Sequence, residues 1–211
     1  MTAVIFDCDG TLVDSEPLAR TAWERAMAPY GYVVTDADAE ACVGLPFPRV
    51  HAYFAERAAL PDADAMWTEF SGVLFGLIDD ELVLFDDAVG AVRDLRARGV
   101  PVAVASSSPH ERLQRTLGRA GLLDAFDVVV SGDEVEHGKP APDMFLLASA
   151  RLGVEPGACV VIEDSPPGVQ AGRAAGMFTL AVCRVPGTEA SLAAADRVVD
   201  TVSADAILQA A

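Results

Sequence analysis

The sequence predicts an α/β protein with a doubly wound parallel sheet of Rossmann type and an inserted helical domain. Three observations support this fold class. After residue 86, short apolar segments alternate with helical ones, as in a parallel sheet covered on both faces. Residues 3–6, at the N-terminus, have the length and composition of a strand. Residues 16–81 have helical spacing of apolar residues and no strand pattern.

The predicted elements follow from periodicity and from Gly and Pro at their ends. In the first part, a strand over residues 3–6 precedes helices over 17–30, 36–42, 48–59 and 62–79. The alternating part comprises, in order, helix 86–98, strand 102–105, helix 109–120, strand 128–130, helix 142–152, strand 159–162, helix 166–175, strands 178–182 and 197–199, and a helix from about residue 204.

The domain organisation follows from the pairing needs of the first strand. Its partners must come from beyond residue 100, because no other strand is predicted before that point. We therefore expect residues 1–15 and 82–211 to form one α/β core. Residues 16–81 are expected to be an all-helical domain inserted directly after the first loop.

Composition limits the possible functions. The formal net charge is −17, from 32 acidic and 15 basic residues, which argues against nucleic acid as a partner because its phosphates would be repelled. No apolar run reaches membrane length, and no signal peptide or anchor is expected. The four cysteines are far apart in sequence and indicate reduced thiols. We expect a cytoplasmic monomer with no membrane association.

Two acids, Asp7 and Asp9, end the first strand and are followed by Gly10. Residues i and i+2 of a strand point the same way, so the two carboxylates can share one small space. Such a pair needs a cation, a shared proton or two different roles. A simple turn explains these residues equally well at this point. An EF-hand does not, because Leu12 and Leu18 occupy its Gly and Glu positions.

Other reactive side chains follow later strands of the predicted sheet. Ser106 ends one strand, Glu163 and Asp164 end another, and Lys139, the single lysine of the chain, lies on a loop at the same edge. Each has an ordinary structural explanation as a cap, a helix start or a surface residue. Their coincidence at the carboxyl edge, where open parallel sheets bind ligands, favours an active site.

The residues and their spacing resemble the haloacid dehalogenase superfamily over nearly the whole chain. Four segments carry the resemblance, namely FDCDGTLVDS at 6–15, Ser106, GKPAPD at 138–143 and EDS at 163–165. The helical insertion is similar to the C1 cap of the subfamily that contains β-phosphoglucomutase-like and phosphoglycolate phosphatase-like members. The resemblance implies an HAD-type core and a Mg²⁺-dependent phosphatase that forms an aspartyl-phosphate.

The resemblance also implies roles for individual residues. Asp7 would be the nucleophile, Asp9 the acid and base, and Lys139 the countercharge to the phosphate. Thr11, Ser106 and the amide of Ser107 would bind the transferring oxygens. The metal ligands would be Asp7, the main-chain carbonyl of Asp9, Glu163 and Asp164, which suits Mg²⁺ because Mg²⁺ prefers oxygen ligands.

Comparison within the superfamily favours a phosphatase. Asp9 argues against a dehalogenase, and the absence of Lys from residues 16–81 argues against a phosphonate hydrolase. A sugar phosphomutase of the β-phosphoglucomutase type remains the alternative, although residues 15–25 lack the His of that group and Val43 and Leu45, beside Gly44, are not basic. A phosphate-binding module without turnover is the third hypothesis.

The expected substrate is a small phosphorylated metabolite, such as a sugar phosphate, because a cap excludes polymers and the apolar loop over residues 44–47 suits a second phosphate poorly. Arg49 and His110 are predicted to contact it. Arg20, Trp23 and His51 are further candidates, each with a structural explanation as well.

Overall fold

The structure, a computed structural model, describes residues 2–42 and 45–209 of the chain. The chain divides into two compact units, one of Met1–Asp14 with Val83–Ala211 and one of Ser15–Leu82. Each unit is described by itself.

The strands and helices lie close to their predicted positions. The strands are β1 (Ala3–Phe6), β2 (Val13–Asp14), β3 (Val83–Leu84), β4 (Val102–Ala105), β5 (Val128–Val130), β6 (Cys159–Glu163), β7 (Phe178–Val182) and β8 (Arg197–Val199). The helices are α1 (Glu16–Met27), α2 (Asp36–Cys42), α3 (Phe47–Ala55), α4 (Ala63–Glu81), α5 (Asp86–Ala97), α6 (His110–Arg119), α7 (Asp143–Leu152), α8 (Pro166–Ala174) and α9 (Ala204–Leu208).

The first unit is built on a parallel sheet in the order β5-β4-β1-β6-β7-β8. β1 lies between β4 and β6, with Val4 opposite both Val102 and Val160. The chain builds the sheet outward on one side of β1 and then on the other, so β1 borders the point where the strand order reverses. The doubly wound parallel sheet predicted from the sequence is confirmed, and its ligand crevice is expected beyond the carboxyl end of β1.

The sheet is buried on both faces, as its apolar strands require. Ala3 and Ile5 belong to a core cluster with Met144 and Phe145 of α7. Phe6, which points to the opposite face, packs edge-to-face on Phe126 with ring centroids 6.4 Å apart. This two-sided burial explains why the strands are continuously apolar rather than alternating.

A two-stranded antiparallel ribbon of β2 and β3 was not predicted. Val13 pairs with Leu84 and Asp14 with Val83, at the two positions where the chain leaves the first unit and returns to it. Strands of two residues are too short to show a period in the sequence. The ribbon therefore depends on tertiary contact between two segments that are distant in the sequence.

The described elements of the second unit are helical, with an aromatic core. Trp23 packs against Phe70 and Phe54, with ring centroids 4.5 and 5.1 Å apart, and stacks on Phe47 at 5.6 Å. α1 ends at Met27 and continues as a 3₁₀ turn, Ala28–Tyr30, before Gly31, whose φ of 72° ends the segment. No helix among the described residues is both long and apolar enough to cross a membrane.

Candidate active site

The loop after β1 is a tight turn that begins at a buried acid. The Asp7 amide donates to the Ile162 carbonyl at 2.9 Å, which extends the strand pairing to the acid itself, and Asp7 is only 6% exposed. The amides of Leu12 and Val13 both donate to the Cys8 carbonyl, at 2.8 and 3.2 Å. The turn thus holds residues 7–13 in a compact arrangement.

Gly10 is required at the centre of this turn for two reasons. Its φ is +83°, a conformation that side chains with a Cβ rarely adopt. A Cβ at this position would also collide with the Asp164 carboxylate. The Asp-Gly pair is therefore a turn, as the simplest explanation predicted, and this turn also packs against Asp164, the residue just after β6.

Lys139 joins the acids of two strands. Its Nζ lies 2.5 Å from Asp7 Oδ1 and 2.7 Å from Glu163 Oε1, and it also donates to the Ala105 carbonyl at 3.2 Å. The side chain is 6% exposed. The single lysine of the chain is therefore not a surface residue but a buried cation between carboxylates.

Glu163 organises the junction between β6 and α8. Its Oε2 accepts from the amides of Asp164 and Ser165, at 2.8 and 2.9 Å, and from the Ser165 hydroxyl at 2.9 Å. A Cβ at Gly168 would collide with this carboxylate. The buried charge is thus surrounded by donors and by the first turn of α8, as burial of a carboxylate requires.

Asp7, Glu163 and Asp164 form an acidic cluster whose potential ligand atoms lie within 4.8 Å of one another. Burial raises the pKa of Asp7 to about 7; Lys139 opposes this rise and Glu163 adds to it. Burial also raises the pKa of Asp164, with the charges of Glu163 and Asp7. Burial alone would lower the pKa of Lys139, but Asp7 and Glu163 outweigh it and raise that pKa.

Negative charge is in excess at this site, because three carboxylates face one ammonium group. A hard divalent cation would relieve this excess, and carboxylate oxygens are the ligands that such cations prefer. The acidic cluster can therefore hold a metal ion.

Asp9 has a separate set of partners. Its Oδ2 accepts from the hydroxyls of Ser108 and Ser106, at 2.7 and 3.2 Å, and its Oδ1 lies 2.7 Å from Arg112 Nη2. The Asp9 carboxylate is not a member of the acidic cluster found among the described residues. Of the possibilities left open by the sequence, the contacts favour different roles for Asp7 and Asp9 over a shared proton.

Two residues of this site, Arg112 and Ser108, were not predicted. Arg112 is the third residue of α6 and its side chain is 18% exposed. Nothing in the sequence separates it from Arg115 and Arg119 on the same helix. Ser108 could have been found, because it lies two residues after Ser106 and also donates its amide to the Ser106 hydroxyl at 3.1 Å.

The remaining core residues predicted for the site lie at or near the carboxyl edge. Thr11 is fully buried, and its hydroxyl donates to Asp164 Oδ1 at 3.2 Å. Ser106 is buried and its amide donates to the Val130 carbonyl at 3.0 Å, whereas Ser107 is exposed. His110 is exposed at the start of α6, and its amide donates to Asp133 Oδ2 at 2.7 Å.

The candidates in the helical unit have various environments. Arg49 is exposed on α3. Arg20 lies 2.9 Å from Glu24 and 2.6 Å from Asp36. His51 Nε2 lies 3.0 Å from the Pro61 carbonyl oxygen. Trp23 is part of the aromatic core, which supports its structural explanation. The loop predicted around Gly44 includes Val43 and Gly44, which lie outside the described residues.

The sheet topology and the charged edge together define an α/β protein with a cluster of carboxylates at the carboxyl ends of its strands, where such sheets bind ligands. The model of the haloacid dehalogenase-like hydrolase family matches residues 1–176, and the chain belongs to this family. The predicted family, fold class and general enzyme class, a hydrolase, are confirmed.

The matches to relatives extend over most of the chain. It is 38% identical over 175 residues to fructose-1-phosphate phosphatase YqaB of Escherichia coli K12, a match to 82% of this chain and 92% of that protein. It is 34% identical over 203 residues to the bifunctional riboflavin kinase/FMN phosphatase of Arabidopsis thaliana. That match covers 95% of this chain and 53% of the relative, so the chain spans about half the length of the plant protein.

Among solved structures, the chain is similar to a putative β-phosphoglucomutase from Thermotoga maritima. The TM-score is 0.80 at 30% identity, and the match covers 99% of this chain and 97% of that chain. The similarity extends over both compact units of the chain.

Proposed function

We propose that the protein is a Mg²⁺-dependent phosphatase that hydrolyses a small phosphate monoester through an aspartyl-phosphate on Asp7. The observation that carries this proposal is the buried contact of Lys139 with Asp7 and Glu163, while Asp9 is held by other partners. Two acids with different surroundings can serve as nucleophile and as proton carrier.

The proposed metal ligands are Asp7, Glu163 and Asp164, with the main-chain carbonyl of Asp9. The three side chains fit a hard cation because they lie close together, Asp7 and Glu163 are buried, Asp164 is half-buried, and a single ammonium group faces all three. A bound Mg²⁺ supplies charge that lets a carboxylate approach a phosphate dianion.

In the first step, an Asp7 oxygen forms a bond to phosphorus as the bond to the leaving oxygen breaks. Asp9 donates a proton to that oxygen, so the product leaves as an alcohol. In the second step, Asp9 removes a proton from water, which attacks phosphorus. Inorganic phosphate is released and the Asp7 carboxylate is restored.

Charge on the transferring phosphoryl group is balanced by the side chains around it. Lys139 lies against Asp7, and we propose that it neutralises charge on the equatorial oxygens. Thr11, Ser106 and the amide of Ser107 are proposed to donate hydrogen bonds to the same oxygens. For Ser106 this means transferring its hydroxyl donation from Asp9 to the substrate.

The proposed substrate is a sugar phosphate or another small metabolite. The relatives named as phosphatases of fructose 1-phosphate and of phosphorylated carbohydrates support this class. We propose that residues 16–81 form a cap over the site and that Arg49 and His110 contact the substrate beyond its phosphate. A cap of this kind would exclude water and polymers.

A sugar phosphomutase is the second candidate, favoured by the likeness to the putative β-phosphoglucomutase. The absence of His from residues 15–25 argues against it. A non-catalytic phosphate-binding module is less well supported because both acids are present. The net charge of −17 supports a protein without a nucleic-acid partner. A monomeric state and a cytoplasmic location stay predictions.

The test is a panel of phosphate monoesters, including p-nitrophenyl phosphate and hexose phosphates, with and without Mg²⁺. We expect turnover that requires Mg²⁺ and that falls by at least about 10³-fold in Asp7→Asn, because an amide is not a competent nucleophile. Asp124→Asn, which removes an exposed carboxylate, is the control.

Product analysis separates the candidates. Released phosphate indicates the phosphatase, and isomerised hexose phosphate without released phosphate indicates the mutase. Binding of a phosphate analogue such as beryllofluoride, with no turnover of any ester, would indicate the binding module and overturn the proposal.

A further inference from the structure

Arg184 lies just after β7, beyond the last residue that the family model matches, and no sequence motif includes it. Its side chain is only 14% exposed although it carries a permanent charge. A buried guanidinium is costly unless it is paired and hydrogen-bonded. Its contacts therefore indicate what it stabilises.

The guanidinium joins its own segment, after β7, to two other segments of the first unit. Nη2 donates to the Thr11 carbonyl at 2.9 Å, and Nη1 lies 3.0 and 2.9 Å from the two carboxylate oxygens of Asp87. The group also lies 4.0 Å from the centroid of the Phe85 ring. Asp87 in turn accepts from the Val202 amide at 2.8 Å.

Two of these segments are the ends of the β2–β3 ribbon. Thr11 lies just before β2, Phe85 lies just after β3, and the Phe85 amide donates to the Leu12 carbonyl at 2.9 Å. Arg184 thus contacts the segments that flank both strands of the ribbon, before β2 and after β3. Thr11 therefore has two contacts: its carbonyl accepts from Arg184, and its hydroxyl donates to Asp164.

We propose that Arg184 is a positioning residue for the phosphatase site. By holding the Thr11 carbonyl against Phe85 and Asp87, it fixes the turn that carries Asp9, Gly10 and Thr11 relative to Asp164. This inference rests on the proposed function. It assigns Arg184 no contact with substrate; the residue acts through the Thr11 main chain.

The activity test compares four variants with the wild type. Arg184→Met removes the charge and the donors but keeps much of the apolar stem. Arg184→Lys can reach the Thr11 carbonyl or Asp87 but lacks the planar fork that reaches both. Asp87→Asn weakens the ion pair and leaves the Thr11 contact. Arg173→Met is the matched control, since it removes a half-exposed arginine that pairs with Asp196.

We expect Arg184→Met to lower kcat about tenfold and to change KM by less than about twofold, because a misplaced turn affects the transition state more than substrate binding. Arg184→Lys should be intermediate. Asp87→Asn should lower Tm but keep kcat within about threefold, and Arg173→Met should keep the wild-type kcat. Wild-type kcat in Arg184→Met, or an equal loss of kcat in the control Arg173→Met, would overturn the proposal.

Amide hydrogen exchange tests the positioning without any assay of turnover. In Arg184→Met, the amides of Leu12, Val13 and Phe85 should exchange faster, while the amides of β6 should keep their protection. Unchanged exchange at the three amides would overturn the inference. If the wild type has no phosphatase activity, the proposed function is overturned. The positioning of the turn by Arg184 would still be tested, because amide exchange does not depend on activity.

Discussion

Asp7 and Asp9 illustrate how two acids of one loop acquire different environments. They are separated by a single residue, yet Asp7 lies against a lysine and two other acids, whereas Asp9 lies against two hydroxyls and an arginine. Burial and the neighbouring acids raise the pKa of Asp7, which marks the place where a cation is needed. The chemical difference between the two residues thus comes from their partners and not from their side chains.

Arg112 is expected to orient the Asp9 carboxylate for proton transfer. We predict that Arg112→Met lowers kcat/KM about tenfold for alkyl phosphates, the loss expected for one charged hydrogen bond. The loss should be smaller for p-nitrophenyl phosphate, because p-nitrophenolate departs without protonation. Steady-state kinetics with both substrates measures this difference.

The control for Arg112 is Arg115→Met, which removes an exposed arginine from the same helix. It should leave kcat/KM for both substrates within about twofold of the wild type. Equal losses for the two substrates in Arg112→Met would show that the arginine does not act through the leaving-group proton.

At the scale of elements, α2 shows how a short helix is stabilised by one carboxylate. The helix has only seven residues, too few to be stable alone. Asp38 accepts from the Thr35 amide and hydroxyl, at 2.9 and 2.7 Å, and from the Tyr53 hydroxyl of α3 at 2.8 Å. Burial opposes ionisation, but these donors and Tyr32 lower the pKa of Asp38 to about 2.

We predict that Asp38→Asn lowers the free energy of unfolding at pH 7 by about 2 kcal/mol, because an amide nitrogen would face donors in place of an acceptor. Urea titration followed by tryptophan fluorescence measures this change. Both tryptophans, Trp23 and Trp67, belong to the helical unit and report on it. Asp36→Asn, at an exposed position of the same helix, should cost less than about 1 kcal/mol.

The stabilisation of the fold by Asp38 should decrease at low pH. Because its folded pKa lies below the unfolded value of about 3.9, its stabilisation is complete above about pH 4. It is lost as pH falls toward 2. The difference between wild type and Asp38→Asn should therefore shrink below pH 4, and a constant difference would contradict the role of the ionised carboxylate.

At the scale of the whole molecule, the charge of −17 and the acidic cluster lead us to expect that stability depends on cations. A metal that binds the folded chain and not the unfolded one stabilises the fold by mass action. This effect links a few ligand atoms at one sheet edge to the unfolding of the α/β unit.

We predict that Mg²⁺ at about ten times its dissociation constant raises Tm by about 4 °C, as measured by calorimetry. Asp164→Asn should abolish the shift, because it removes a proposed ligand from the cluster. Asp124→Asn changes the net charge equally at an exposed position and should retain the shift. An undiminished shift in Asp164→Asn would indicate unspecific binding to the acidic surface.

The local sequence pattern was sufficient to predict most of the secondary structure and the main candidate site residues. Apolar runs marked β1, β4 and β5 with their observed ends, and capping residues placed most helix ends within two residues. α3 is an exception, because it ends at Ala55 where the sequence predicted residue 59. The acids, Ser106 and Lys139 could be grouped because the carboxyl ends of parallel strands meet at one edge.

The sequence by itself determined the parallel sheet, the helical insertion and the set of reactive side chains at one edge, since these depend on periodicity and strand order. Only the tertiary structure decided the β2–β3 ribbon and the partners of the charged groups. Arg112 and Asp9 are 103 residues apart, and Arg184 and Thr11 are 173 apart. Such contacts leave no local pattern, because they form only when the sheet brings distant loops to the same edge.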